Sequence, residues 1–319
     1  MMRRSKLAKR WDRLLYLSVL GASLITASPL MAADEDDGQE EYSSKGADTC
    51  LTCHGEEAIL SIFRTPHGHP TDPNAPFASA QCESCHGAGA AHGVMRVRRG
   101  QERPPMKKFG AQSGTPVAEQ NEICLGCHQA AVDLAWHGSA HDLEFVSCAD
   151  CHQLHAPQDR VLLVYEQAEV CYTCHQDKRA ANFKPSIHPV RQGKMSCSSC
   201  HNPHQSVTDN LLTRDTVNQL CYECHAEKRG PYLWEHAPVP EDCTLCHDPH
   251  GSNNPALLTR RPPLLCQQCH SQAGHPSIAF TDRGLPGNNP SPFVVGGSCM
   301  NCHSRVHGSN HPSGVNLSR

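Results

Sequence analysis

Ten copies of the pattern Cys-x-x-Cys-His run through this 319-residue chain and use all 20 of its cysteines. The copies lie at 50–54, 82–86, 124–128, 148–152, 171–175, 197–201, 221–225, 243–247, 266–270 and 299–303. Two thiols separated by two residues can bond the two vinyl groups of one haem, and the following histidine places an imidazole under the iron. The pattern therefore predicts ten covalently bound haems c and a fold built around them.

Two other uses of paired cysteines are Cys₄ zinc sites and a disulfide framework. Neither use requires a histidine after every pair, and histidine is only 23 of the 319 residues. The predicted attachment residues are Cys50, Cys53, Cys82, Cys85, Cys124, Cys127, Cys148, Cys151, Cys171, Cys174, Cys197, Cys200, Cys221, Cys224, Cys243, Cys246, Cys266, Cys269, Cys299 and Cys302. The predicted proximal ligands are His54, His86, His128, His152, His175, His201, His225, His247, His270 and His303.

The remaining histidines follow a repeat in which five units each read motif, middle His, motif, trailing His. Units one to five span 50–92, 124–155, 171–204, 221–250 and 266–307. This order predicts a second, distal imidazole for every iron. The predicted distal ligands are the trailing His92, His155, His204, His250 and His307 and the middle His67, His141, His188, His236 and His275.

Three alternatives remain open within this set: His69 for His67, His137 for His141, and His311 for His307. His141 is preferred because it lies seven residues before the next cysteine, as His236 does in unit four. Three trailing histidines follow a proximal histidine by only three residues. Such a side chain cannot pass around the porphyrin edge, so we expect it to bind a neighbouring haem.

An iron with histidine on both faces has no position for a substrate. We therefore predict an electron carrier rather than an enzyme, with no catalytic residue. Two alternatives are a multihaem reductase, which needs an iron with an open position, and a freely soluble periplasmic shuttle or electron store.

Composition supports a fold that depends on its cofactors. Hydrophobic residues are 38% of the chain and this figure includes the cysteines, while Pro and Gly number 24 and 23. So little apolar material cannot easily bury a conventional core. We expect residues 50–319 to form a multihaem cytochrome c domain, mostly coil with short α-helices around a linear stack of ten haems and little or no β-sheet. Helical turns are predicted to carry the motifs, for example over 166–181.

The first 33 residues read as a secretory signal peptide, with basic residues, an apolar run over 14–27 and then small residues. An uncleaved anchor is the alternative, although this run is shorter than the ~20 residues that a membrane span needs. Residues 34–49 read as an acidic, flexible tail. Residues 1–33 hold six of the 28 Lys+Arg and one of the 32 Asp+Glu, which leaves 22 against 31 and a charge of −9. This balance disfavours a nucleic-acid partner.

The sequence also resembles a known family. The motif count, CTLCHDPHGSNNPALL at 243–258 and GGSCMNCHSRVHGSNHPSG at 296–314 are similar to the MtrA/DmsE-type decahaem cytochromes c, a group that includes PioA and MtoA. The resemblance implies bis-histidine haems in the periplasm, held at the outer membrane inside an MtrB-like β-barrel porin. It further implies an outer-surface multihaem cytochrome or terminal reductase and a periplasmic or inner-membrane donor cytochrome as partners. The expected role is extracellular electron transfer, for metal or dimethyl sulfoxide reduction or for iron oxidation.

Overall fold

Short helical segments joined by coil make up the protein in its computed structural model, which describes residues 41–94, 96–128, 134–205, 208–270 and 299–318. The α-helices are α1 Ala47–Leu51, α2 Glu57–Leu60, α3 Glu83–His86, α4 Val117–Leu125, α5 Leu134–Trp136, α6 Ala140–Leu143, α7 Cys148–Cys151, α8 Gln167–Cys171, α9 Gln176–Ala181, α10 Val217–Tyr222 and α11 Pro238–Glu241. The 3₁₀ turns are Ser61–Arg64, Pro66–Gly68, Pro76–Ala78, Arg160–Leu162, Cys197–Ser199, Asp209–Leu211, Ala226–Lys228, Cys243–Leu245, Pro255–Leu257, Cys266–Gln268 and Cys299–Asn301.

No strand forms in the part of the chain that the structure describes. Pairing there is limited to four isolated antiparallel bridges, Ser186 with Ser252, His201 with Leu212, Trp234 with Ser309 and His247 with Leu258. The predicted class, coil and short helices with little or no sheet, is confirmed. The helical turns predicted over 166–181 are two helices, α8 and α9, separated where the chain leaves helical geometry at His175 (φ −87°, ψ 62°).

The two motifs of a unit occupy different local structures. In units one to four the first motif begins within or at the end of a helix, namely α1, α4, α8 or α10. The second motif forms its own single turn, as in α7 and in the 3₁₀ turn at Cys197–Ser199. A helix of one or two turns is not stable alone in water, so these segments depend on what they pack against.

Few side chains form a conventional core. The buried apolar residues among those described are Ala47, Ala75, Leu125, Trp136, Ala168, Val170, Tyr172 and Ala181. Four of these eight are alanines, which bury little apolar area. None of the described helices is long and apolar enough to cross a membrane.

A buried asparagine ties together the two motifs of unit two. Asn121 lies three residues before the first cysteine of the unit, on α4, and is 5% exposed. Its Nδ2 donates to the carbonyl oxygen of Val146 at 3.1 Å, and its Oδ1 accepts from the backbone N–H of Cys148 at 2.9 Å. One side chain therefore fixes the turn that carries the second motif.

Asn218 makes the same pair of contacts in unit four, with Val239 and Cys243, at 2.9 and 2.8 Å. Asn218→Ala should destabilise the holoprotein by about 1–3 kcal/mol, because it leaves a partly buried backbone donor and acceptor without partners. Chemical denaturation followed in the haem absorption band measures the loss. Gln219→Ala, an exposed position on the same helix, is the matched control, and equal effects of the two substitutions would contradict this role.

Consecutive units meet closely at a glycine beside the trailing histidine. Gly251 has φ +141°, and a Cβ there would lie 2.2 Å from the carbonyl oxygen of Ala181. The bridge between Ser186 and Ser252 forms at this point. The sequence His-Gly-Ser after a motif therefore allows backbone to pack on backbone where His250 must be positioned.

Candidate haem sites

Each motif closes on itself through one backbone hydrogen bond. In all ten, the N–H of the histidine donates to the carbonyl oxygen of the first cysteine, four residues earlier, at 2.9–3.1 Å. This single helical turn brings the two cysteines and the histidine of a motif together. The spacing Cys-x-x-Cys-His therefore has a direct structural meaning in every copy.

One continuous cavity of about 4960 Å³ runs along all ten motifs. All twenty cysteines, all ten proximal histidines and nine of the ten predicted distal histidines line it. Of the described histidines, only His69, His137 and His311 are not part of this lining. The tenth predicted distal ligand, His275, lies outside the described residues.

The cavity has the size and the donors for haem. A pocket for one small ligand has about 300–1,000 Å³, whereas this cavity, shared among ten motifs, offers about 500 Å³ to each. The indole N–H of Trp136 is buried on its wall without a hydrogen-bond partner among the described residues. A carboxylate such as a haem propionate would satisfy it. The residues present therefore fit haem.

Nine pairs of imidazoles face one another across the cavity, and each pair joins a predicted proximal ligand to a predicted distal one. Ring centroids are 5.9–6.4 Å apart. The pairs are His54–His92, His128–His67, His86–His155, His175–His141, His152–His204, His225–His188, His201–His250, His270–His236 and His247–His307. Imidazole nitrogen binds a first-row metal at about 2 Å, so two rings on opposite faces of one iron have centroids about 6 Å apart.

The pairing interlocks neighbouring units. A middle histidine faces the first motif of the next unit, as His141 of unit two faces His175 of unit three. A trailing histidine faces the second motif of the preceding unit, as His204 of unit three faces His152 of unit two. Only His92 of unit one faces a motif of its own unit among the nine described pairs. Each junction between consecutive units therefore carries two histidine pairs.

The alternative His137 lies apart from the facing rings. Its Nδ1 is 3.8 Å from a carboxylate oxygen of Asp142, and its side chain is 64% exposed. His141, four residues later, lines the cavity and faces His175. The structure thus separates the two candidates that the sequence left open in unit two.

Contacts between cysteines give the order of the motifs in space. Within each unit the first thiol of one motif hydrogen-bonds the first thiol of the other: Cys50 with Cys82, Cys124 with Cys148, Cys171 with Cys197, Cys221 with Cys243 and Cys266 with Cys299. Between units the second thiols are neighbours: Cys85 with Cys127, Cys151 with Cys174, Cys200 with Cys224 and Cys246 with Cys269. The motifs therefore follow one another in the order of the sequence. Burial raises the pKa of Cys82 to about 11 and that of Cys221 to about 12.

The other ring nitrogen of many of these histidines bonds a backbone carbonyl. Among the proximal ligands, Nδ1 contacts a carbonyl oxygen in the pairs His86–Lys107, His201–Asn210, His247–Ala256 and His303–Asn316. Among the distal ligands, the pairs are His92–Pro104, His141–Pro203, His155–Ile59, His188–Pro249 and His236–Val306. A carbonyl only accepts, so Nδ1 carries the proton and Nε2 is left to bind metal. Burial lowers the pKa of His67, His204 and His307, which favours the neutral ring that metals bind.

The described residues contain neither a disulfide nor a Cys₄ zinc site, the two other uses of paired cysteines. Every cysteine lies within the described residues, and none is in a disulfide. Across those same residues no group of three or more His, Cys, Asp or Glu side chains could hold a metal ion by itself.

Comparison with known proteins decides the family. Over 98% of its length the chain is 45% identical to the multihaem cytochrome MtrA of Shewanella baltica, of which it covers 90%. The chain belongs to the MtrA family of multihaem cytochromes c. It is thus a haem c protein of the electron-transfer class, and the resemblance noted in its sequence is confirmed.

More distant likenesses cover parts of the chain. It is 30% identical over 52% of its length to the cytochrome c-type protein NrfB of Escherichia coli, and over 38% to that of Haemophilus influenzae. The alignments cover 85% and 54% of those relatives. Family models match as a doubled CXXCH motif at 188–230 and 236–275, a cytochrome c-type protein NrfB-like at 82–166 and cytochrome c554 and c-prime at 23–87.

The sequence did not identify three of the side chains that shape these sites. Asn121 and Asn218 each lie three residues before the first cysteine of a motif, in QNEICLGCH and VNQLCYECH. This repeated position was the sequence feature that could have identified them. The third side chain is Asp159, whose Oδ2 lies 2.7 Å from Nδ1 of His152. The sequence carried no signal for it, because no equivalent carboxylate recurs in the other units.

Proposed function

We propose that this protein carries electrons along ten bis-histidine haems c between the periplasm and the cell exterior, across the outer membrane and inside a β-barrel porin. The observation that carries the proposal is the interlocked series of facing imidazoles along one continuous cavity. Bound haem supplies the chemistry, because its iron changes between ferric and ferrous states. The chain holds these groups in sequence order, fixes their axial imidazoles and encloses them.

The ligand supply supports an electron carrier rather than an enzyme. Every proximal histidine of the described pairs has a second imidazole at the distance of a shared metal. Two bound imidazoles fill both axial positions and leave none for nitrite or another small oxidant. The ligands we propose are the ten proximal and ten distal histidines predicted from the sequence, including His275 for the tenth iron.

The need for a barrel follows from the nature of the chain. Coil and very short helices leave backbone donors and acceptors that cannot face hydrocarbon. A chain of this kind can cross a membrane only inside another protein, and a closed barrel supplies a polar lumen. We propose export by the signal peptide at residues 1–33, a porin like those implied by the family resemblance, and an outer-surface cytochrome or terminal reductase beyond it. A periplasmic or inner-membrane cytochrome would exchange electrons at the other end.

Affinity purification of the tagged chain from detergent-solubilised outer membranes tests this arrangement. We expect a β-barrel protein and an outer-surface multihaem cytochrome to co-purify in fixed proportion. In vesicles that hold the complex, an enclosed reduced dye should be oxidised by an impermeant external acceptor. Vesicles with the barrel alone are the control. Recovery of the protein only from the soluble periplasmic fraction, without a barrel, would instead identify a diffusing shuttle.

A further inference from the structure

One proximal histidine differs from its counterparts in the group that its second nitrogen contacts. The second motifs of units one, three, four and five place Nδ1 of the proximal histidine on a backbone carbonyl at 2.6–2.7 Å. In unit two, Nδ1 of His152 instead contacts the Oδ2 of Asp159 at 2.7 Å. His152 is therefore held by a carboxylate at the position where these four histidines contact a carbonyl oxygen.

Asp159 is built into the chain so that its carboxylate stays at this position. Its side chain is 14% exposed. Oδ1 accepts from the backbone N–H of Gln153 at 3.3 Å and from that of Val161 at 3.4 Å, where it caps the 3₁₀ turn Arg160–Leu162. Three hydrogen bonds thus hold the group between the motif and the next turn.

No cation lies within ion-pair distance of this carboxylate in the described part of the chain, apart from the imidazole itself. The adjacent Arg160 is turned to Glu166, at 2.8 Å. A second carboxylate, that of Asp150, belongs to the same motif and accepts from the backbone N–H of Ser147 at 2.8 Å. The surroundings of the fourth motif are therefore negatively charged.

Local sequence explains why unit two departs from the others. In units three and four the residues nine positions after the proximal histidine are Asn210 and Ala256, whose φ values of +62° and +54° turn their carbonyl oxygens onto the ring. The corresponding residue of unit two is Val161, which has no such backbone conformation. The carboxylate two residues before it takes the place of that carbonyl.

From this geometry we infer that Asp159 is a positioning residue that sets a distinctly low reduction potential on the fourth haem of the series. A carboxylate that accepts the Nδ1 proton makes the imidazole more anionic and a stronger donor to iron. Greater donation, together with an uncompensated negative charge nearby, stabilises the ferric state. This inference rests on the proposed bis-histidine ligation of His152 and His204. The reduction potential of the fourth haem is then lower than those of the haems at the third and fifth motifs.

Asp159→Asn tests the inference in the holoprotein, since the amide keeps a hydrogen-bond acceptor and the cap on Val161 but removes the charge. Potentiometric titration followed in the haem absorption band should show one tenth of the amplitude moving to higher potential. The expected change is roughly tenfold in the reduction equilibrium of that haem, which is about 59 mV for a one-electron couple. The matched control is Glu227→Gln. Glu227 also lies near Nδ1 of a proximal histidine, His225, but its carboxylate is 3.8 Å away and its side chain is 61% exposed.

The outcomes separate this inference from the proposed function. If Asp159→Asn retains ten low-spin haems and its titration overlays that of the native protein, or moves no more than Glu227→Gln, the inference is wrong and the ligation stands. If the native protein itself holds fewer haems or shows high-spin iron at this site, the proposed function fails first. Haem content by mass spectrometry and the low-spin spectrum are measured on all three proteins.

Discussion

Replacing His141 by alanine should convert one haem in ten from low-spin to high-spin iron. Its ring centroid lies 6.2 Å from that of His175, and its Nδ1 contacts the carbonyl oxygen of Pro203 at 3.0 Å, which holds the ring in position. Removal of this imidazole leaves His175 as the only nearby axial ligand, and an iron with one open position becomes high-spin. Electron paramagnetic resonance should show a high-spin ferric signal of about one tenth of total haem, with cyanide binding of the same stoichiometry.

His137→Ala is the matched control, because His137 lies four residues before His141, between α5 and α6. Its side chain lies outside the lining of the cavity and is 64% exposed, so its loss should leave every haem low-spin. The reverse outcome, a high-spin signal in His137→Ala but not in His141→Ala, would contradict the assignment. A native protein that already binds cyanide would instead favour a reductase with an open iron.

Local geometry made part of these sites predictable from the sequence. The two cysteines and the histidine of a motif are neighbours along the chain, and one turn brings them together wherever the pattern occurs. The distal candidates were also recognisable, because the repeat of middle and trailing histidines recurs five times. A chain poor in apolar residues and rich in Pro and Gly also explains why the described residues form no extended sheet.

The individual partners of the distal histidines could not be predicted, because in all the described pairs except that of His92 the partner belongs to another unit. His67 faces His128, and His155 faces His86, across the junction of units one and two. Such contacts depend on how consecutive units pack, and motif spacing carries no information on that. Asp159 was missed for a similar reason, since its effect depends on where a single turn places one oxygen atom.

Without covalent haem, the chain is expected not to fold. A version lacking residues 1–33 and produced in a cytoplasm without haem-attachment enzymes should give a coil-like circular dichroism spectrum. Its amide hydrogens should exchange without protection, and heating should produce no cooperative transition. Its longest described helix has nine residues, and isolated helices shorter than about 12–15 residues are marginal in water.

Packing leads to the same result. Only eight apolar side chains are buried among the described residues, and four of them are alanines. The cavity that the motifs enclose measures about 4960 Å³. Water filling that space removes the apolar contacts that offset the loss of chain entropy. The holoprotein of the same residues is the control and should unfold cooperatively, because ligand binding then contributes to folding free energy. A cooperative transition in the haem-free chain would show that the polypeptide has a sufficient core of its own, and that the interlocked histidine pairs are not what joins the units.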